Sequence, residues 1–375
     1  MKSENIHIEE INGTNDSKDE LKNLSYSEIN QKISGLINKK SSFKYWSALG
    51  FSFILTLVGV VAVYQTITKG LTVWGIHNNV SWGVAIVTFV FWIGIGHAGT
   101  LISAILYIFN QKWRIAIHRS AEAMTIIAVI CAAIFPIIHT GRPWFALYWL
   151  FPYPNQMGMW VNFNSPLLWD VFAIVTYFIL SICFWYLGLI PDFAVLKKHV
   201  RIKATGKLYD FFSLGWTGTQ REWQAYKATY LLLAGIATAL VISVHSIVST
   251  DFAVTVIPGW HSTIFPPYFV AGAILSGCAM VVAILIITRQ ILTLKGFITI
   301  SHFDKLNKII IATSLMIGYS YAVEIFFIWY SGSSAEMMML KARATGGYAL
   351  LFYLMIAFNV IIPQVLWIRK LRTNI

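Results

Sequence analysis

Charge is what this sequence has least of. Asp, Glu, Lys and Arg make up 12% of its 375 residues, against about a quarter in a soluble domain. Hydrophobic residues make up 57%. So few charges cannot clothe a globule in water, which excludes a soluble enzyme and leaves an integral membrane protein. Acids are scarcer still, 16 against 28 bases. The basic excess does not describe a nucleic-acid surface, because the bases fall in short clusters between apolar runs, the positive-inside pattern of membrane proteins. Cysteine is rare as well. Cys131, Cys183 and Cys278 all lie in apolar runs, at spacings that match no metal or iron–sulfur pattern, and read as small core residues. No CxxCH occurs, so covalent haem is excluded. A non-covalent haem needs axial ligands on facing helices. His97 lies in mid-span and His139 at a span end, while His118 and His139 are 21 residues apart, so no haem is expected in this chain, and no metal.

What is present is a series of long apolar runs. Residues 1–43 form a polar tail of mixed charge, with no signal peptide read at its start; residues 44–375 form the membrane domain. Eight runs are long enough for the ~20 residues a helix needs to cross a bilayer, at roughly 45–67, 80–110, 115–139, 167–190, 225–249, 264–293, 308–331 and 347–368. Of the 28 Lys and Arg, 24 lie in the tail with the adjoining Lys44, the loops 111–119, 196–227 and 289–308, and the end 369–372; the alternate loops hold only Lys69, Arg142, Lys341 and Arg343. This asymmetry predicts a cytoplasmic N-terminus and C-terminus.

One stretch stands out, residues 136–170. A helix ends in His139-Thr140-Gly141-Arg142-Pro143, a loop rich in Trp, Tyr, Phe and Pro follows, and the next helix starts at Ser165-Pro166 and carries Asp170. The loop between spans five and six is similar, with Asp251, Trp260, His261, Pro266 and Pro267. Both lie on the periplasmic side of the predicted topology. An interfacial aromatic belt accounts for Trp and Tyr there, but not for acids and imidazoles gathering on the same side. Ionisable residues at membrane depth are costly and face a bundle interior. They are His97 in mid-span two, Glu122 two turns into span three, His139 and Asp170, His245 and Asp251 at the end of span five, and Glu324 in span seven.

These groups suit a quinol, an apolar-tailed diol that loses two electrons and two protons. Its oxidation needs a base near each hydroxyl and an apolar cleft for the ring. His139 can take a proton near neutral pH, a neighbouring Asp170 can orient it and receive the proton in turn, and Arg142 can keep Asp170 ionised.

The run from Phe91 to Asp170, with GHAGTLISAIL and HTGRPW, resembles the NrfD/polysulfide reductase membrane-subunit family, and more narrowly the quinol-oxidising ActC-type subunit of alternative complex III. The run SVHSIVSTDFAVTVIPGWHSTIFPPYFVAGAILSG supports the same resemblance. It covers essentially the whole membrane part. It implies an all-α integral membrane protein in two four-helix bundles, without a haem or iron–sulfur cluster in this chain, that binds quinol or menaquinol on the periplasmic side. His139 and Asp170 would be the catalytic pair. Arg142, His245 and Asp251 would bind the quinol. His97, Glu122 and Glu324 would line a proton path. Electrons would pass to a periplasmic iron–sulfur subunit, in a complex with a second NrfD-like membrane subunit and cytochrome c subunits, in the bacterial inner membrane. The ActC type carries ten spans where this sequence has eight, so the chain is expected to be a short member or a truncated ten-helix chain. Two other functions remain open at this point: a proton-translocating subunit, and a structural anchor without a quinone site.

Overall fold

The structure is a computed structural model that describes residues 26–38, 41–76, 83–138, 141, 144, 166–255 and 262–374. These residues are helical, with no strand among them. A short helix α1 (Tyr26–Gly35) precedes the first span, α2 (Phe43–Lys69). The later spans are α3 (Val84–Ile108), α4 (His118–Ile138), α5 (Pro166–Leu196), α7 (Gln220–Ala253), α8 (Phe265–Ile291) and α9 (Ile300–Ser331). Between them lie α6 (Lys203–Phe212) and α10 (Ser334–Thr345), and the eighth span starts as α11 (Ala349–Ile356). Eight apolar helices among the described residues are thus long enough to cross a membrane, as the hydropathy of the sequence predicts.

Local chemistry sets the ends. Ser42 caps α2, its hydroxyl accepting from Tyr45 N at 3.3 Å. Thr219 and Glu222 form a capping box at the start of α7. Phe265-Pro266-Pro267 opens α8, where a proline loses no helical hydrogen bond. Gly332, at φ 63°, closes α9. The helix α9 begins eight residues before its expected span, because Thr299 caps a polar turn that continues the helix beyond its apolar part. In the eighth span Pro363 has no N–H to give Asn359. A π-turn (Ala357–Ile361) and a 3₁₀ segment (Ile362–Trp367) take over there, and the freed Asn359 carbonyl accepts instead from Ser314 Oγ at 2.7 Å.

The helices α3, α4, α5 and α7 close into one four-helix bundle, α3 against α4 and α7, and α5 against α4 and α7. The helix α3 is its axis, with His97, Ala98, Thr100, Ser103 and Ala104 all buried. Backbones come close where side chains vanish. A Cβ on Gly99 would collide with Ala121 O and Thr125 Oγ1 of α4, and one on Gly277 with Ala98 of α3; this is the small-residue packing by which membrane helices approach each other. The helix α8 lies along α3 and α7, α9 along α8, and the eighth span along α9, a row of helices beside the bundle where a second four-helix bundle was expected. The first span stays apart, with Thr66 alone of its residues buried. Its other side chains are half-buried or exposed among the described residues.

Candidate functional site

Ionisable and hydroxyl side chains gather inside the first bundle, in tiers along its axis. At the end away from the basic loops, α5 carries Asp170 on the turn after Pro166, and α7 carries Asp251 just before its last residue, Ala253. Both are buried, with 5% and 4% of their surface exposed. Their carboxyl groups adjoin. Asp170 Oδ1 and both oxygens of Asp251 find no hydrogen-bond partner among the described residues. Buried carboxyls without a donor are rare and costly, so this tier needs donors beyond those the other described residues supply. His139 and Arg142, expected beside Asp170, lie outside the described residues, as does His261.

One turn inward the lining turns apolar. Ile174 follows Asp170 by four residues, and Val248 precedes Asp251 by three. With Phe89, Ile93 and Ala132 they form a dry cluster. One further turn in, on the same faces, are Tyr177 and His245. His245 Nδ1 lies 3.0 Å from His97 Nδ1, so one ring donates and the other accepts. Tyr177 stands edge-on to His97, with ring centroids 4.3 Å apart, and its hydroxyl donates to Gly96 O at 2.8 Å. His97 Nε2 is left without a partner among the described residues. His245, expected at the quinol, thus belongs to the histidine pair in mid-span.

Towards the basic side hydroxyls take over. Thr125 Oγ1 is 2.8 Å from Gly96 O, Thr100 Oγ1 is 3.3 Å from Thr125 Oγ1, and Ser181 Oγ is 3.5 Å from Thr100. The next tier is Glu122, 1% exposed. Its Oε1 accepts from Ser103 at 2.5 Å and from Tyr230 at 2.7 Å. Its Oε2 meets Arg119 Nη1 at 3.3 Å. Arg119 also binds Asp192 at 2.8 Å and donates to Gly188 O. A Cβ on Gly188 would strike the guanidinium, so the missing side chain makes its slot. Arg114 donates to Tyr230 OH at 3.0 Å. Every partner of Glu122 is therefore itself bonded, which is how a charge is kept inside a bundle.

His97 and Glu122 accordingly lie in one column of buried polar groups. Glu324 does not join it. It sits on α9, outside the bundle, paired with Arg343 of α10 at 3.0 Å, and both line a cleft of about 320 Å³, open mouth included, with Tyr321, Ile328 and Phe352. The hydroxyl members Thr100, Ser103, Thr125, Ser181, Tyr177 and Tyr230, and the arginine Arg119, were not singled out from sequence. The signal was there on α3, where His97, Thr100 and Ser103 recur every three residues on one helical face. Among the described residues no three His, Cys, Asp or Glu side chains converge as a metal site would need.

The sequence has relatives of known description. It is 26% identical over 250 residues to a selenate reductase subunit of Mesobacillus selenatarsenatis, covering 63% of this chain and 54% of the relative. It is 26% identical over 249 residues to a putative dimethyl sulfoxide reductase membrane subunit of Halobacterium salinarum, covering 64% and 51%. It is 23% identical over 327 residues to the Hdr-like menaquinol oxidoreductase integral membrane subunit of Archaeoglobus fulgidus, covering 87% and 71%. The chain spans about half the length of the first two. Its residues 72–375 match the family described as polysulphide reductase, NrfD, and with eight helices among the described residues long and apolar enough to cross a membrane, this multi-pass membrane protein belongs to the NrfD family.

Proposed function

We propose that this chain is the quinol-binding membrane subunit of a respiratory quinol:electron-acceptor oxidoreductase of the alternative complex III type. The observation that carries this reading is the Asp170–Asp251 tier, two adjoining buried carboxyls with unsatisfied oxygens at one end of a bundle. A quinol brings what they lack, hydroxyl donors on an apolar ring. The naming of one relative as a menaquinol oxidoreductase subunit supports the same ligand class.

In this reading the quinol hydroxyls donate to Asp170 and Asp251. One proton passes to His139 and the other to Asp170, and Arg142 stabilises the carboxylate charge. Loss of two electrons and two protons leaves quinone. The protons leave on the periplasmic side, and the electrons pass singly to an iron–sulfur partner subunit, with cytochrome c subunits and a second NrfD-like membrane subunit in the same inner-membrane complex. The test is quinol oxidation by the assembled complex. Asp170→Asn and His139→Ala should each cut turnover by about 100-fold, the scale of a lost general base, with assembly unchanged. Unchanged turnover would move the quinol site to another subunit.

A second reading, proton translocation, rests on the column below. From Asp192 through Arg119, Glu122, Ser103, Thr100 and Thr125 to the His97–His245 pair, titratable and hydroxyl groups follow one another from the basic side. The apolar layer of Ile93, Ile174 and Val248 separates that column from the carboxyl pair. It keeps protons of the redox site on their own side until the layer is wetted. Glu122→Gln in the complex, reconstituted in vesicles, should lower the number of protons moved per electron and leave uncoupled quinol oxidation intact. An unchanged ratio would remove the column from proton transport.

A further inference from the structure

The helix α6, Lys203–Phe212, is the most amphipathic of the described helices, and the bundle uses only part of it. It lies between α5 and α7, separated from them by residues 197–202 and 213–219 alone, so it sits at the level of the span ends. One face docks on α5. Tyr209 stacks on Phe193 with centroids 5.6 Å apart, Phe212 packs near Phe193 at 5.9 Å, and Tyr186 OH donates to Phe212 O at 3.0 Å. These contacts hold the helix against the end of α5.

A second face has none of the described residues packed over it. Leu208 and Phe211, three residues apart and hence on one side, are exposed by 52% and 73%, and the flanking Ile202 and Leu214 by 66% each. The third face is basic, with Lys203 and Lys207 one turn apart. Of the cations around the helix, Lys197 is held by Asp210 at 2.7 Å. Lys198, Arg201, Lys203 and Lys207 have no ion pair among the described residues. The segment is also tied at its other end. Asn38 donates to His199 O at 2.8 Å and accepts from Arg201 N at 3.3 Å, which fixes the basic loop that leads into α6.

Such a helix has a fitting environment at this depth. Apolar side chains enter the boundary of the acyl chains while the lysines stay among headgroups. Four cations without an ion pair among the described residues suit phosphate anions that carry net charge. We propose that α6 and the loop 197–202 form a site for anionic phospholipid, with Leu208, Phe211 and Leu214 inserted between acyl chains and Lys198, Arg201, Lys203 and Lys207 at the headgroups. A second protein fits less well, because the exposed apolar strip borders directly on the span ends, where lipid must already be. The site is independent of the quinol reading.

The experiment uses the full chain in lipid nanodiscs, of phosphatidylcholine alone or with about one third phosphatidylglycerol. Hydrogen–deuterium exchange is read over residues 203–214. Each basic residue near an anionic surface adds about fivefold to binding. Exchange should slow at least tenfold with phosphatidylglycerol, and the double variant Lys203→Gln/Lys207→Gln should lose most of that slowing while the spans keep theirs. Phe211→Asp should raise exchange in both lipids. Equal exchange with and without phosphatidylglycerol would overturn the proposal. So would protection that appears only in the assembled complex whatever the lipid, since a partner protein would then be the occupant. Inorganic phosphate added to phosphatidylcholine discs should have no effect; if it reproduced the slowing, the site would be a free-anion site and the lipid assignment would fall.

Discussion

Two glutamates of this protein are each paired with an arginine, and the pairs have little else in common. Glu122 lies inside the α3–α4–α5–α7 bundle, 1% exposed, and receives Ser103, Tyr230 and Arg119. Glu324 lies on α9 at a half-open cleft, its side chain 22% exposed, and among the described residues its ion pair is with Arg343. The first pair is one link in a column of polar groups that runs through a bundle core. The second joins two neighbouring helices at their rim. The same contrast holds for the regions around them. Polar groups of the first bundle face one another across four helices. Those of α8, α9 and the eighth span make pairwise bonds between neighbours, such as Tyr268 to Tyr321 at 3.4 Å and Asn359 to Tyr321 at 3.2 Å. A closed bundle can enclose a chain of titratable groups; a row of helices side by side can only stitch itself together.

Glycine substitutions would break this contrast most severely. Gly99→Leu must push α4 away from α3, since a Cβ there already overlaps Ala121 O and Thr125 Oγ1. It should cost well over the ~3 kcal/mol typical of overpacking and abolish recovery of folded protein from membranes. Gly235→Leu on α7 has nothing within 4 Å of its Cβ and should be recovered at wild-type level. Thermal unfolding in detergent checks both.

Next in size come the ion pairs. Arg119→Ala leaves Glu122 buried without its cation and should destabilise by about 3 kcal/mol, with Glu122→Gln restoring most of the loss in the double variant. Arg343→Ala should cost at most about 1 kcal/mol, as a rim-exposed pair does. Equal losses at the two sites would erase the distinction between them.

A comparison of activity sharpens the point. At matched assembly, Asp170→Asn should slow quinol oxidation by about 100-fold, the scale of a lost general base, and Glu324→Gln by no more than about twofold. A large effect of Glu324→Gln, measured as turnover of the complex, would carry the functional site into the second region. The smallest effect expected is at the π-turn. Asn359→Ala removes one interhelical bond and should cost about 0.6 kcal/mol, the average for such bonds in membranes, in the same unfolding assay.

How much of this was legible beforehand differs from residue to residue. Asp170, Asp251, His97 and Glu122 stand out in sequence because an ionisable group in an apolar helix is expensive and rarely accidental. Thr100, Ser103, Thr125 and Ser181 do not, because a hydroxyl can bond its own helix and costs little wherever it points. Tyr177 and Tyr230 read as ordinary aromatics. Glu324 looked like His97 and Glu122 in the sequence, yet Arg343, on a separate helix, draws it to the rim. His245 looked like a partner for Asp251, six residues on, but those six residues are nearly two turns, about 9 Å along the axis.

The sequence by itself determined the number of spans and the fold class. Backbone groups in hydrocarbon must be satisfied within the segment, so each apolar run of sufficient length is committed to a helix. It also determined which residues would be costly in lipid. Only the tertiary structure decided which faces meet. Lipid and the interior of a helical bundle are equally apolar, so hydropathy does not tell an inward side chain from an outward one. The pairing of His97 with His245, 148 residues apart, and the meeting of Asp170 with Asp251 follow from how α3, α5 and α7 pack, and small residues such as Gly99 and Gly188 set how closely.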